Sequence, residues 1–553
     1  MRIGLSLSCT VLVGLLSAAC DSPAPTPNDG GNGGAGGGGG GAGAAGGGGG
    51  GVAAPLVIAT DKGPVEGYLN GATRTFLGVP FAAPPTGDLR WKPPQPHEAW
   101  TENFQASKKG NGCAQLNPLN AKFDASSGED CLTLNVWAPE KPSSGALPVM
   151  VWIHGGAFVL GSGSEAAYDG QIFSETTGAI VVGVNYRLGP MGFLALPDLK
   201  SEDPAHPSSG NYGLEDQRLA LEWVKANIAA FGGDPGNVTI FGESAGGIST
   251  CLHMVSPKSK GLFHRAIIQS GPCDTVTDEA DAVAQGATFV EALGCKDAPD
   301  VLACLRGKEV EEVMTALPTS TDFLGSSTKW FPVQDGWNVT ETPSKTLASG
   351  NFEKVPTILG SNADEGTLFL ALAGTTIPDD ATFEMMADQL APGKGAEVVA
   401  KYPSAQYGSA QAAATAAIGH AAFVCPTRRA ARALEAAGVP TFLYHFTYAP
   451  PGALLGDDLG AFHSSEVKFV FGNPGQLLPK APNEEEAPMS QAIMGYWSRH
   501  AATGDPNSKA SLAWPSYDTA SDQNIVLDLE LSLQSGLQKD LCDFWDGVVI
   551  DAI

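Results

Sequence analysis

The sequence predicts an α/β fold with helical insertions, in which a large, mostly parallel central sheet is covered by helices on both faces. Three observations lead there. Short, continuous apolar runs bounded by turn residues recur along the chain, as strands buried on both faces would. Stretches of helical periodicity separate these runs, and that alternation favours a parallel sheet. One run, Val238-Thr239-Ile240-Phe241, leads straight into Gly242-Glu243-Ser244-Ala245-Gly246 and then into small residues able to open a helix.

Taken in order, the chain opens with a targeting segment. Arg2 supplies positive charge, Ile3 to Leu16 an apolar core, and Ser17-Ala18-Ala19-Cys20 small residues at a cleavage point. Two readings fit. One is a bacterial lipoprotein signal cleaved before Cys20, which is then lipidated; the pattern is imperfect, since Ser17 stands where Leu is preferred. The other is ordinary secretory cleavage at the same bond. Either exports the protein, to a membrane anchor in the first case and to a secreted or periplasmic state in the second. Gly30 to Gly51 is nearly all glycine, so it buries too little apolar surface to offset its ordering entropy. As a flexible coil, Cys20 to Leu56 would span about 30–35 Å. The expected organisation is a signal peptide over 1–19, a tether over 20–54 and one globular domain over 55–553.

From Pro55 to Trp100, short extended runs and Pro-rich turns read as an antiparallel opening. Pro148–Ile153 and Ala179–Tyr186 are continuous apolar runs, expected as central strands. Between Gly213 and Ile228, apolar residues at 214, 221, 224 and 228 share one helical face. Further strands are expected at Arg265–Gln269, Pro356–Leu359 and Thr441–Tyr448. No internal stretch reaches the roughly 20 apolar residues of a spanning helix.

Charge narrows the function. Against 32 Lys and Arg stand 59 Asp and Glu, a net charge of −27, which disfavours nucleic acid and anionic lipid as partners. Any membrane contact is expected only through the N-terminal lipid. Ten cysteines suit an oxidising compartment. Cys295 and Cys304 are spaced for a small closed loop, and Cys113 and Cys131 bracket another.

The order of strand, Gly-x-Ser-x-Gly and helix is the nucleophile elbow of α/β-hydrolases, a sharp turn that lifts the serine hydroxyl above the sheet. A Cβ at Gly242 or Gly246 would collide within so tight a turn. Serine needs a base to take its proton and a third group to orient that base. In this fold both follow the serine in the chain. For the acid, the run at 356–359 leads into Asn362-Ala363-Asp364-Glu365-Gly366, where chemistry alone does not choose between the two carboxylates. For the base, His463 lies beyond the strand ending near Tyr448, in Gly460-Ala461-Phe462-His463-Ser464-Ser465-Glu466. His97 and His206 read as exposed loop residues, His445 as a packed strand residue, and His500 as a helix-surface residue. The run at 148–153 ends in His154-Gly155-Gly156-Ala157-Phe158, whose bare backbone can offer N–H groups to an oxyanion, beside that of Ala245.

At these residues the chain resembles the carboxylesterase type B family, which includes cholinesterases, fungal lipases and bacterial p-nitrobenzyl esterases. The resemblance runs from about Leu56 to Trp545. It rests on Phe76-Leu77-Gly78-Val79-Pro80-Phe81-Ala82-Ala83-Pro84-Pro85, Glu129-Asp130-Cys131-Leu132-Thr133-Leu134-Asn135, Asn185-Tyr186-Arg187-Leu188-Gly189 and the stretch from Gly210 through Gly247. Gln269-Ser270-Gly271 and Thr503-Gly504-Asp505-Pro506-Asn507 extend it. It implies Ser244 as nucleophile, His463 as base, Glu365 as acid, and Gly155, Gly156 and Ala245 as the oxyanion hole. It also implies the bridges Cys113–Cys131, Cys295–Cys304 and Cys425–Cys542; Cys251 and Cys273 remain, either as a fourth bridge or as two free buried thiols. The segment between Cys113 and Cys131 lacks the Trp with which cholinesterases hold a choline cation, which argues against choline esters.

The expected function is an exported serine hydrolase that cleaves small carboxylic esters through an acyl-enzyme, with no metal or organic cofactor, as a monomer or weak dimer. The alternatives are a lipase for long-chain acylglycerols, an amidase or carbamate hydrolase with the same triad, and a non-catalytic surface adhesion module.

Overall fold

The continuous apolar runs form strands whose two faces feed two different cores. A computed structural model describes residues 54–118, 120–141, 145–318, 329–456 and 459–552; the expected signal peptide and all but the last tether residue lie outside them. In chain order the main sheet comprises β1 (Tyr68–Asn70), β2 (Thr73–Pro80), β3 (Thr133–Pro139), β4 (Leu147–Ile153), β5 (Ile180–Val184) and β6 (Gly233–Glu243). It continues with β7 (Arg265–Gln269), β8 (Thr357–Asn362), β9 (Thr441–Phe446), β10 (Gln523–Leu527) and β11 (Ser532–Ser535). Their spatial order is β1-β2-β3-β5-β4-β6-β7-β8-β9-β10-β11. Every neighbouring pair from β5 to β10 is parallel, and the pairs at both edges are antiparallel. A small side sheet pairs Val57–Ala59 antiparallel with Pro64–Glu66, and Pro64–Glu66 parallel with Phe104–Gln105.

Side chains alternate across a strand with a period of two. On β4, Val149, Val151 and Ile153 enter one core, while Met150 and Trp152 enter the other. β5 divides in the same way, with Ile180, Val182 and Val184 against Val181. Both faces are dry, which is why these strands read as unbroken apolar runs rather than as alternating ones. Burying Trp152 completely is worth roughly 4–6 kcal/mol at about 25 cal/mol per Å². Its ring packs edge-on to Phe241 and Phe471, tying two sheet strands to the helix layer.

Helix α1 (Tyr212–Asn227) covers one face, and its Asp216 accepts two hydrogen bonds from the Arg187 guanidinium and one from the Arg187 backbone N–H, at 2.7–2.9 Å. Among the described residues four disulfides are present: Cys113–Cys131, Cys251–Cys273, Cys295–Cys304 and Cys425–Cys542. Among the described residues, no helix is long and apolar enough to cross a membrane.

Two histidine expectations are corrected. His500 is not on a helix surface: it is fully buried in the helix Ala487–Thr503, and burial holds its imidazole down at about 4. His206 does lie in a loop but is not exposed: its side chain is largely covered, and its Nε2 lies 2.6 Å from the buried carboxylate of Glu215.

Candidate active site

Strand β6 ends at Glu243, and helix α2 (Ala245–Val255) begins at once, leaving Ser244 alone to make the turn. Its backbone adopts φ +55° and ψ −120°, a conformation costly for any side-chain-bearing residue. The turn is held by the Ser244 N–H donating to Gln269 O at 2.9 Å and by Ile248 N–H donating to Ser244 O at 2.9 Å. A Cβ at Gly246 would stand 1.9 Å from Ile153 O, and one at Gly242 would stand 2.5 Å from Gly246 C. Both glycines are therefore steric requirements of the elbow.

The end of β4 meets the elbow at Gly155, where an added Cβ would lie 3.2 Å from Ser244 Cβ. Gly156 sits at φ +105°, a conformation open essentially to glycine. Among the described residues, the N–H groups of Gly155, Gly156 and Ala245 donate no hydrogen bond to the protein. Ala245 opens α2, so its N–H has no partner within the helix. His154 is held apart from this chemistry, stacked on Tyr186 with centroids 4.4 Å apart and kept neutral by burial.

Strand β8 delivers the candidate acid and a loop after β9 delivers the candidate base. Glu365, the first residue of helix α3 (Glu365–Ala373), is fully buried, and its Oε2 lies 2.6 Å from His463 Nδ1. Its Oε1 accepts from Ser270 Oγ at 2.6 Å and from Asn362 N–H at 2.8 Å. Asp364 turns the other way, accepting from Ala461 N–H at 2.8 Å. The geometry thus separates two carboxylates that residue chemistry alone left equivalent, and it brings Glu365, the one the resemblance implies, against His463. Phe369 and Phe423 flank the imidazole, with ring centroids 5.0 and 4.6 Å away.

Sequence reasoning assigned nothing to two further buried acids at the site. Glu243 places Oε1 3.1 Å from His463 Nε2 and accepts from Ser464 Oγ at 2.6 Å. Glu466 accepts from Gln269 Nε2 at 3.0 Å and Asn362 Nδ2 at 2.7 Å. The available signal was position: a carboxylate directly before the serine and another three residues after the histidine, each in a stretch otherwise poor in charge. Burial alone would push His463 down, but Glu243 and Glu365 outweigh it and raise the imidazole to about 9. Burial in turn pushes the Glu243 carboxyl up, against the opposing pull of His463. The two groups titrate as a pair. Among the described residues, no hydrogen bond joins Ser244 to His463; without substrate such bonds are commonly long or misaligned.

A parallel sheet that carries a serine elbow, bare-backbone N–H groups and a carboxylate-held histidine at one end defines an α/β-hydrolase of the serine type. The chain belongs to the carboxylesterase family, whose model matches residues 54–545, and it is a carboxylic ester hydrolase. It is 35% identical over 492 residues to the para-nitrobenzyl esterase of Bacillus subtilis (strain 168), covering 88% of this chain and 97% of that protein. Among solved structures it resembles a PNB esterase with a TM-score of 0.77 and 34% identity, covering 89% of this chain and 99% of that one. A thermophilic PNB esterase is similar at a TM-score of 0.76 and 33% identity, again over 89% and 99% of the two chains.

Proposed function

We infer that Ser244, His463 and Glu365 are the triad of this esterase and that Gly155, Gly156 and Ala245 supply its oxyanion hole. The observation that carries this is the 2.6 Å bond from Glu365 to His463 Nδ1, which leaves Nε2 as the basic edge of the ring. Nε2 takes the Ser244 proton as Oγ attacks the ester carbonyl. The oxyanion rests on the three N–H groups, each worth about 3–4 kcal/mol in the transition state. The imidazolium returns its proton to the departing alcohol, and water repeats the sequence on the acyl-enzyme. Glu365 keeps the imidazole in one tautomer and stabilises its charge.

The substrates are soluble small-molecule esters, a reading supported by likeness to an enzyme named for p-nitrobenzyl esters. The protein is exported and held to a membrane through lipid on Cys20, with the glycine tract as tether. Fluorophosphonate labelling with peptide mapping tests the nucleophile, beside hydrolysis of p-nitrophenyl acetate, butyrate and palmitate by wild type and Ser244→Ala. Labelling at Ser244, short-chain preference and loss of activity in the variant are expected; labelling elsewhere overturns the triad. Cys20→Ala should release the protein from membranes, and unchanged fractionation would rule out the anchor.

A further inference from the structure

The residue after the base has a backbone unsuited to it. Ser464 sits at φ +72°, a left-handed conformation that glycine adopts freely and serine does not. In that conformation its Oγ donates to Glu243 Oε1 at 2.6 Å, a contact between residues 221 positions apart. The same carboxylate oxygen lies 3.1 Å from His463 Nε2, the edge that must take the serine proton. A strained serine therefore reaches, through one carboxylate, the reacting edge of the base.

We propose that Ser464 is a positioning residue of the esterase reaction, whose hydroxyl holds the Glu243 carboxylate against the imidazole of His463 and so governs protonation of the base. The proposal rests on the triad reading above. A hydroxyl that donates to a carboxylate favours its ionised form. The ionised carboxylate in turn favours imidazolium over imidazole at His463. The other titratable groups facing this pair are Glu365 and Glu466 from the acid and base loops and Tyr168, Tyr186 and Tyr444 from the surrounding walls. None of them donates a hydrogen bond to Glu243 among the described residues, so Ser464 is the donor that selects its charge state.

The sign follows. Without the hydroxyl, Glu243 is neutral over more of the pH range, His463 loses a facing negative charge, and the free base persists to lower pH. The test is the acidic limb of kcat/KM for p-nitrophenyl acetate. Ser464→Gly relieves the backbone and removes the donor. It should remain folded at assay temperature while its limb moves down by about half a pH unit or more. Ser464→Asn tolerates the left-handed conformation and restores an N–H donor, so its limb should return toward wild type. In a Glu243→Gln background, Ser464→Gly should move the limb no further. If Ser464→Gly folds poorly, Ser464→Ala is read in its place, because it keeps the Cβ and loses only the hydroxyl. A limb that stays put or moves up in the folded variant overturns the proposal, provided His463→Ala is inactive. An active His463→Ala overturns the triad reading instead.

Discussion

Oε1 of Glu243, the residue directly before the proposed nucleophile, lies 3.1 Å from Nε2 of His463, while Oε2 of Glu365 lies 2.6 Å from Nδ1. The imidazole is thus held between two carboxylates, and its proton affinity rises to about 9 despite complete burial. A general base must be neutral to act. Activity should therefore be low well below that value and climb with pH through the neutral and mildly alkaline range. Glu243→Gln removes one of the two negative charges, so its acidic limb should move to lower pH. A kcat/KM profile with a limb near 6.5 that Glu243→Gln leaves unmoved would exclude this electrostatic coupling.

The acid arm can be tested in two grades. Glu365→Gln preserves shape but no longer enforces the tautomer that leaves Nε2 basic, and kcat should fall on the order of 10³–10⁴-fold. Ser270→Ala removes one donor from the same buried carboxylate, a hydrogen bond to a charged group worth about 1.5–3 kcal/mol. Glu365 retains the Asn362 N–H, so the second variant should lose about ten-fold in kcat with KM little changed. Steady-state kinetics on p-nitrophenyl butyrate separate the two. Equal losses would mean that Ser270 does more than orient the acid.

Much of this site is legible in the chain because its geometry is local. The elbow and the Gly155-Gly156 step need particular residues in a row, and the strand Arg265–Gln269 is bounded as its apolar pattern reads. Residue chemistry alone did not separate Asp364 from Glu365, and only the family resemblance pointed to Glu365, because neighbouring carboxylates differ only in what the fold brings to them. One meets a backbone N–H of the loop holding His463, the other His463 itself. Glu243 and Glu466 stayed hidden for the same reason, since their partners come from distant strands and loops. His500 is different. It follows Met489, Ile493 and Trp497 at helical spacing, on the buried stripe of its helix, so its burial was readable from periodicity.

The elbow's steric demand predicts a stability effect. A methyl at Gly246 would stand 1.9 Å from Ile153 O, a backbone atom, so no neighbouring side chain can swing away to relieve it. Gly246→Ala should cost more than about 3 kcal/mol or prevent folding, and it should abolish activity by displacing Gly155 from Ser244. Gly128→Ala is the control. Its Cβ meets nothing within 4 Å, and its stability should stay within about 0.5 kcal/mol of wild type. Urea denaturation of the two variants decides, and similar midpoints would contradict the close approach.

The bridge between Cys425 and Cys542 spans 117 positions, the longest loop closed by any of the four disulfides. In the chain-entropy account, opening a loop of that length costs about 5 kcal/mol, nearly all of it through a freer denatured state. Its effect should also reach the site. Cys425 follows the turn His420–Val424, and Phe423 in that turn packs on His463 at 4.6 Å. Cys425→Ser/Cys542→Ser should therefore show a lower urea midpoint together with a steeper m-value, because the denatured chain exposes more surface once the crosslink is gone. It should also lose activity on warming before the bulk of the fold melts. A lower midpoint with unchanged m would place the loss in native packing instead, and an unchanged midpoint would mean that the helix Lys539–Ala552, which carries Cys542, is held without the bridge.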